Sequence, residues 1–423
     1  MSDFLTRAEL LRERGRHEEA VALLHSHLAH HPEDPAAFIE LALNRMDIDG
    51  QMAQALADAK TATGLIPDAA FPLALQAFIL SRLDREKEAV QLADQAIALA
   101  PDYAYAWRAK SVALCGLNRW KEAEEAAREA LAINPDDEDA SNVLSHALRL
   151  QNRLDESEDE TKRRLSRNPE NAFSFANAGW AALQRGKVKE AEDYFKEALR
   201  LNPNMNYARN GLKESYRARS AFYRVFLKWS FFQQRLQEKH RTAIFIGIFV
   251  SFKVLRNVLE NTQPLLLLPL FLIYYIFIFG SWLSTGLANF FLLRDPTARL
   301  SLDKAEKIDG AVVGFLFFCG LALLVPGFIW DKDVLMITGG ALMGSAIPAS
   351  LVFTKSSRIG SILFGSATLL ILLLSGIAAW HQYLNPEKPI FEGTGGGILT
   401  IAILIAVGIT WLPLIPALRK KRD

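Results

Sequence analysis

Four histidines crowd one short stretch, His25, His27, His30 and His31, and the i, i+4 spacing of His27 and His31 puts two imidazoles on one helix face. No carboxylate or cysteine follows at the spacing of a zinc hydrolase, and solvated histidines at a helix end explain the run equally well, so no metal site is assigned. Lys253, Arg256 and Glu260 share another helix face at i, i+3 and i+7, with Arg256 and Glu260 also an i, i+4 pair. Within an apolar helix such a stripe marks a pathway if it faces a bundle interior, or snorkelling stems if it faces the far interface. Four glycines cluster in EGTGGG at 392–397, but no strand, lysine or helix N-terminus frames them as a phosphate cradle, and they read as a flexible lead-in to an apolar segment. Asp331, Asp333, His381 and Glu392 are candidates for lining a mouth, although no spacing rule joins them into a catalytic set. The chain has no phosphate-binding glycine loop, nucleophile elbow, HExxH pair or paired-cysteine motif. No catalytic residue and no cofactor are therefore assigned, and a non-enzyme is expected.

The elements that must position these residues differ along the chain. Half of the 423 residues are hydrophobic and the net charge is +1, yet neither is evenly spread. Residues 1–206 hold 25 Lys/Arg against 35 Asp/Glu, 207–241 hold 9 against 2, and 242–423 hold 14 against 10. The differences, −10, +7 and +4, describe an acidic soluble domain, a basic junction and a hydrophobic domain. Cys115 and Cys319 fall in different domains with no framework spacing, as suits a reducing compartment. The first twenty residues carry charges every few positions, so no secretory or transit signal is expected.

Prolines recur at Pro32, Pro67, Pro101, Pro135, Pro169 and Pro203, spaced 35, 34, 34, 34 and 34 residues. Between them lie pairs of stretches with helical hydrophobic period. Ala20, Ala55, Ala89, Ala123 and Ala191 share one equivalent position, and Ala96, Ala130 and Ala198 another, where two helices of a hairpin must approach closely. Asn-Pro at 134–135, 168–169 and 202–203 ends a second helix, because the residue before proline is pushed out of the helical region. The stretch 172–203 carries the fullest pattern, with Phe175, Ala178, Gly179, Gly186, Ala191, Phe195, Ala198 and Pro203 in order.

That pattern resembles a tetratricopeptide repeat, over about 206 residues and six units. A lone unit leaves its apolar face bare, so the resemblance implies stacked hairpins and an extended binding surface rather than a catalytic pocket. Unit two has one extra residue near Asp49–Gly50, and unit five places Ser157, Thr161 and Arg164 where the pattern wants small or aromatic residues. First helices line a concave groove in the family, which implies groove positions for Phe78, Tyr105, Arg108, Asn142, His146, Arg149, Phe173 and Trp180. The alternative for Phe78 and Trp180 is plain packing between hairpins. Val112 and Ala176 stand where the chaperone-binding members need clamp residues, so chaperone-tail binding is not expected.

After Pro203 a single long junction helix is expected over 207–241. Its aromatics (Tyr216, Phe222, Tyr223, Phe226, Trp229, Phe231, Phe232) alternate with arginines and lysines, the composition of a helix against anionic headgroups; the apolar spans downstream argue against nucleic acid. Uncharged runs follow at 264–293, 310–330, 334–354, 359–380 and 393–418, each long enough to cross a hydrocarbon core. A sixth, 242–259, is interrupted by Lys253 and Arg256. Gly310/Gly314, Gly340/Gly344 and Ser361/Gly365 are the expected close-packing pairs. Six spans would put the basic junction, the 294–307 and 355–358 loops and the basic tail on one side, with both termini cytoplasmic by the positive-inside rule. The reading is an all-α chain: a TPR-type α-solenoid (1–206), a junction helix (207–241) and a polytopic transmembrane helical bundle (242–423) with five to six spans. The expected function is recruitment of a protein or peptide partner at a bacterial-type inner membrane, in contact with lipids and not with nucleic acid. The alternative is a transporter or a lipid- or glycan-handling membrane enzyme regulated by the repeats.

Overall fold

The computed structural model describes residues 3–236, 238–262, 266–353, 357–409 and 412. It is helical throughout, with no strand among the described residues. The chain divides into two compact units. One comprises Met1–Arg185, Asp193–Ala208 and Phe231–Ile244, and the other Gly186–Glu192, Arg209–Ser230 and Phe245–Asp423.

Six hairpins build the N-terminal half: α1 (Asp3–Glu13) with α2 (His17–Leu28), α3 (Pro35–Arg45) with α4 (Met52–Leu65), α5 (Ala70–Arg82) with α6 (Glu86–Leu99), α7 (Ala104–Gly116) with α8 (Trp120–Ile133), α9 (Glu138–Leu150) with α10 (Leu154–Arg167), and α11 (Ala172–Gln184) with α12 (Val188–Leu201). The proline ladder ends the second helices. Ile66, Ala100, Asn134 and Asn168, each preceding a proline, have φ of −134°, −143°, −127° and −132°. Asn134, Asn168 and Asn202 add an Asx turn, their Oδ1 accepting the backbone N–H two residues on at 3.1–3.2 Å. The turn inside each hairpin has its own register: Gly15, Gly50, Asp84, Asn118, Asn152 and Gly186 all have positive φ, between 57° and 82°. Their spacing repeats that of the prolines. Glycine, asparagine and aspartate are the residues that tolerate this left-handed conformation.

Both alanine series are fully buried, Ala20, Ala55, Ala89, Ala123 and Ala191 as well as Ala96, Ala130 and Ala198. In the sixth hairpin the contact is tighter still, since a Cβ on Gly179 would stand 2.7 Å from the Phe195 ring. Unit five departs from this apolar scheme. Ser145 Oγ lies 3.0 Å from Ser157 Oγ and 2.8 Å from Thr161 Oγ1, and Ser157 Oγ donates to the Ser145 carbonyl at 2.8 Å. Arg164, buried nearby, pairs with Glu138. The polar residues that broke the sequence pattern thus satisfy one another inside the hairpin.

Instead of one junction helix there are two, α13 (Asn206–Arg217) and α14 (Ala221–Gln234). Ser220 sits between them, and its carbonyl accepts the Arg224 N–H as the first bond of α14. A serine at a helix start competes well with continued helix. The second unit continues through α15 (Glu238–Thr262), α16 (Leu267–Leu292), the short α17 (Pro296–Ser301), α18 (Lys304–Ile329), α19 (Asp333–Val352), α20 (Arg358–Leu384) and α21 (Gly393–Gly408). Among the described residues α18, α19 and α20 are long and apolar enough to cross a membrane. A capping box starts α18, Asp303 accepting the Glu306 N–H at 2.8 Å and Glu306 the Asp303 N–H at 3.0 Å. Gly310 and Gly314 take the expected close approach, against Asn289 and Phe290 of α16. Gly340, Gly344 and Gly365 do not, each having nothing within 4 Å of an added Cβ. Gly339 takes that role on α19, where an added Cβ would meet Leu324 of α18 at 2.5 Å. One residue of helix is a rotation of about 100°, enough to move a glycine off the contact.

Gly179→Ala is expected to lower stability by roughly 1–3 kcal/mol through overpacking against Phe195. Gly64→Ala, at an exposed helical glycine with open space around it, should raise it by about 0.5–1 kcal/mol. Urea unfolding followed by circular dichroism reads both, and shifts of the same sign would contradict the packing account.

Candidate functional site

The histidine run is built into unit one. His27 stacks on Phe4 with ring centroids 3.4 Å apart and on His31 at 4.6 Å, and its Nε2 lies 2.8 Å from Asp34 Oδ2. Asp34 also caps α3 by accepting the Ala36 N–H. No group of three or more potential ligands is close enough to hold a metal among the described residues.

The first helices of units three and four present an aromatic shelf. Tyr105 packs against Phe71 (5.5 Å), Tyr103 (6.2 Å) and Phe78 (6.3 Å), and the Arg108 guanidinium lies 4.6 Å over its ring. Burial pushes the Tyr105 hydroxyl up to about 12, so it remains a neutral donor at any physiological pH. Arg108 is answered by acid on the next unit, its Nη1 donating to Asp137 at 3.1 Å and Asp139 at 3.0 Å. Asn142 also ties neighbours together, accepting from Ser174 Oγ on its side chain and from Asn177 Nδ2 on its carbonyl, both at 3.3 Å. Phe173 stays half exposed at 49 %.

At units four to six the inner positions converge on residues from beyond the repeats. His146 Nδ1 lies 3.3 Å from the Tyr207 hydroxyl, which donates to Asn177 Oδ1 at 3.2 Å. Since that hydroxyl has one proton, the imidazole must donate from Nδ1. Trp180 packs edge-on to Phe195 (5.5 Å) and Phe231 (6.2 Å) and lies 5.8 Å from Tyr207. Arg149, 3 % exposed, sits 5.8 Å over the Trp180 ring, and its Nη1 donates to Gln184 Oε1 at 3.3 Å. Tyr207 and Phe231 belong to α13 and α14, so both junction helices contribute to this cluster.

One face of the junction is thus buried against protein and the other is open. Tyr216, Tyr223, Phe226 and Phe231 are each less than 9 % exposed, whereas Phe222 and Phe232 remain open. Three of the junction's basic residues are paired inside the second unit: Arg217 bonds Glu214 at 2.6 Å, Glu306 at 3.0 Å and Asn289 Oδ1 at 2.9 Å, while Lys213 reaches Glu306 at 3.0 Å. Arg219 pairs with Glu192 at 2.7 Å and with Asp295 at 2.8 Å. These partners hold the Arg217 guanidinium above its ordinary range despite the opposing effect of burial. Of the charged stripe on α15, Lys253 and Arg256 are exposed; the Glu260 side chain lies outside the described residues. Asp333, a proposed mouth residue, accepts from Gln382 Nε2 at 2.8 Å at the end of α20.

Residues 104–137 and 172–205 match a family model described as Tetratricopeptide repeat, and residues 3–43 match a second model of that description. No curated protein matches the chain. Among solved structures it is similar to a tetratricopeptide repeat protein from Parabacteroides merdae ATCC 43184, at 16 % identity over 50 % of this chain and 82 % of that one, with a TM-score of 0.44. PilW, a widely conserved type IV pilus biogenesis factor, is 20 % identical over 49 % of this chain and 96 % of its own, with a TM-score of 0.43. A thermophilic TPR protein of Thermus thermophilus is 18 % identical over 43 % of this chain and 98 % of its own, with a TM-score of 0.40.

Burial, and after it the Arg149 charge, lower the His146 imidazole to about 3. An unfolded imidazole takes up its proton near pH ~6.5. Between those values the unfolded chain binds a proton that the folded one refuses, so stability falls with pH by up to about 1.4 kcal/mol per unit. From pH 7 to pH 5 the native chain should lose about 1–2 kcal/mol more than His146→Gln; equal losses in urea titrations would remove His146 from this role.

Proposed function

We infer, from a chain whose residues 1–206 form a tetratricopeptide-repeat domain, that the solenoid docks a protein or peptide partner and that the C-terminal half anchors it in a membrane. The observation that carries this reading is the shelf of Phe71, Phe78 and Tyr105, rings that are only partly covered and lie on consecutive first helices. Half-buried aromatic rings on rigid helices are a common energetic centre of protein recognition. Phe173 adds a further apolar contact on unit six. Arg108 and Asn142 are held by neighbouring units, so they are read as the polar border of the shelf rather than as free hydrogen-bonding groups. Stacked repeats of this kind present extended binding surfaces rather than catalytic pockets, and a non-catalytic role is the reading adopted.

The anchor is read as six spans with both termini cytoplasmic in a bacterial-type inner membrane. Three of those crossings are supported by the length and composition of α18, α19 and α20, and α15 is taken as the first. A second reading, transport or lipid handling by the C-terminal half, is favoured by Asp309, a carboxylate 1 % exposed on α18 beside Asn289 Nδ2 at 3.3 Å. Asp309→Asn would then abolish a solute or lipid flux while leaving partner capture intact.

A photocrosslinking residue at position 105 should yield adducts with a partner protein in cells, whereas one at Leu99, exposed on the second helix of unit three, should not. Adducts at both positions, or at neither, would argue against the shelf. For topology, Leu10→Cys in a variant lacking Cys115 and Cys319 should resist an impermeant maleimide in intact cells while Gly393→Cys reacts. Labelling at position 10 would defeat the six-span arrangement.

A further inference from the structure

The acidic N-terminal half gives nearly every buried or half-buried arginine a carboxylate. Arg108 has Asp137 and Asp139, Arg153 has Glu124 and Glu156, Arg164 has Glu138, and Arg185 has Asp155 and Glu158. Arg149 is the contrast. It is 3 % exposed, yet its hydrogen bonds go to neutral groups, Gln184 and Tyr207; its Nε lacks an acceptor, as do those of Arg108 and Arg164. A buried guanidinium without a counterion is unfavourable in a domain where acids outnumber bases.

A second guanidinium aggravates it. Arg235, just beyond α14, also has a buried Nε with no acceptor, and burial followed by the like charge of Arg149 weakens its hold on its proton. Two indole N–H groups in the same region, Trp120 Nε1 and Trp180 Nε1, are buried without acceptors as well. Trp120 reaches His146 at 6.0 Å between ring centroids and Trp180 lies under Arg149. Arg149 and Arg235 therefore act on each other as like charges, with no carboxylate bonded to either among the described residues.

Arg235 lines a cleft of about 470 Å³ together with Arg119, Trp120, Lys121, Gln151 and a single carboxylate, Glu122, so cations outnumber acids there three to one. Its other charged lining groups are largely spoken for, Arg119 being paired with Glu122. Lys121 has no acidic partner among the described residues. Trp120 and Leu150 provide apolar wall beside the cations, which suits a side chain flanked by peptide better than a bare inorganic ion.

We propose that this cleft takes a carboxylate of an acidic peptide segment, with Arg235 and Lys121 as direct donors, Trp120 as apolar wall and Arg149 as the buried charge behind them. The site uses a residue contributed from outside the repeats, so it is complete only when the segment after α14 is in place. It rests on the docking reading and deepens it by naming the partner's chemistry, at a location separate from the aromatic shelf.

The test uses the full chain in detergent micelles and isothermal titration calorimetry with three probes: an acetylated, amidated Asp/Glu hexapeptide, its Asn/Gln counterpart, and inorganic phosphate. The acidic peptide should bind, the amide peptide at least tenfold more weakly, and phosphate no better than the amide peptide. Arg235→Gln should weaken the acidic peptide at least tenfold, and should raise the melting temperature without ligand, because it removes a like charge; a merely structural arginine would lower it. Leu99→Ala, at an exposed residue outside the cleft, should leave the peptide affinity unchanged. Equal binding of both peptides, phosphate binding as tightly as the acidic peptide, or an Arg235→Gln variant of native affinity would each overturn the proposal. Loss of crosslinking at position 105 with acidic-peptide binding intact would overturn the shelf alone.

Discussion

Every hairpin of the N-terminal half rests on one geometric constraint, the close crossing of its two helices at a residue with little or no side chain. Buried alanines supply it in units one to four and six, and Gly179 against Phe195 tightens it in the last. A larger residue would separate the helices and tilt the next hairpin with them. The inner positions of neighbouring units therefore stay in register, which lets Tyr105, Phe71 and Phe78 meet as one shelf and Arg108 reach acids one unit on. Unit five keeps the same crossing with Ser145, Ser157 and Thr161, replacing close apolar contact by hydrogen bonds that need the same short distance.

The repeat architecture was legible because its determinants are local and periodic. Proline positions mark the ends of second helices, small residues mark crossings, and both recur every 34 residues or so. The turn register at Asp84, Asn118 and Asn152 was present in the sequence too, though glycine, asparagine and aspartate all occupy it and only the backbone shows them to be equivalent. In the apolar half a one-residue error in helical phase separates Gly339, at a contact, from Gly340, away from one. Composition carries no such phase.

The break of the junction into two helices and its buried face were illegible for a different reason. Alternating aromatic and basic residues describe a headgroup-facing helix and equally a helix buried against protein acids. The deciding partners lie far along the chain: Glu306 is 89 residues from Arg217, and Asn289 is 72. Of the candidate site, the repeat period made the first-helix positions readable and not what packs on them. His146, Arg149 and Trp180 do sit together, yet what surrounds them is Tyr207, Phe231 and Arg235, none of which the repeat pattern includes. Buried polar contacts of this kind, such as Arg217 with Glu214, Glu306 and Asn289, fix one arrangement of helices chiefly by making others leave a charge unanswered.

The six positive-φ turns have a mechanical consequence. Each closes its own hairpin, and the proline that follows isolates that hairpin from helical continuity with the next. A pulling force on such a stack would not stretch it smoothly. It would release whole hairpins in succession from a loaded end, and one released unit of about 34 residues spans roughly 110–120 Å when extended. A solenoid of this kind is a stepwise extensible tether, able to lengthen by one hairpin while the remaining hairpins hold their shape.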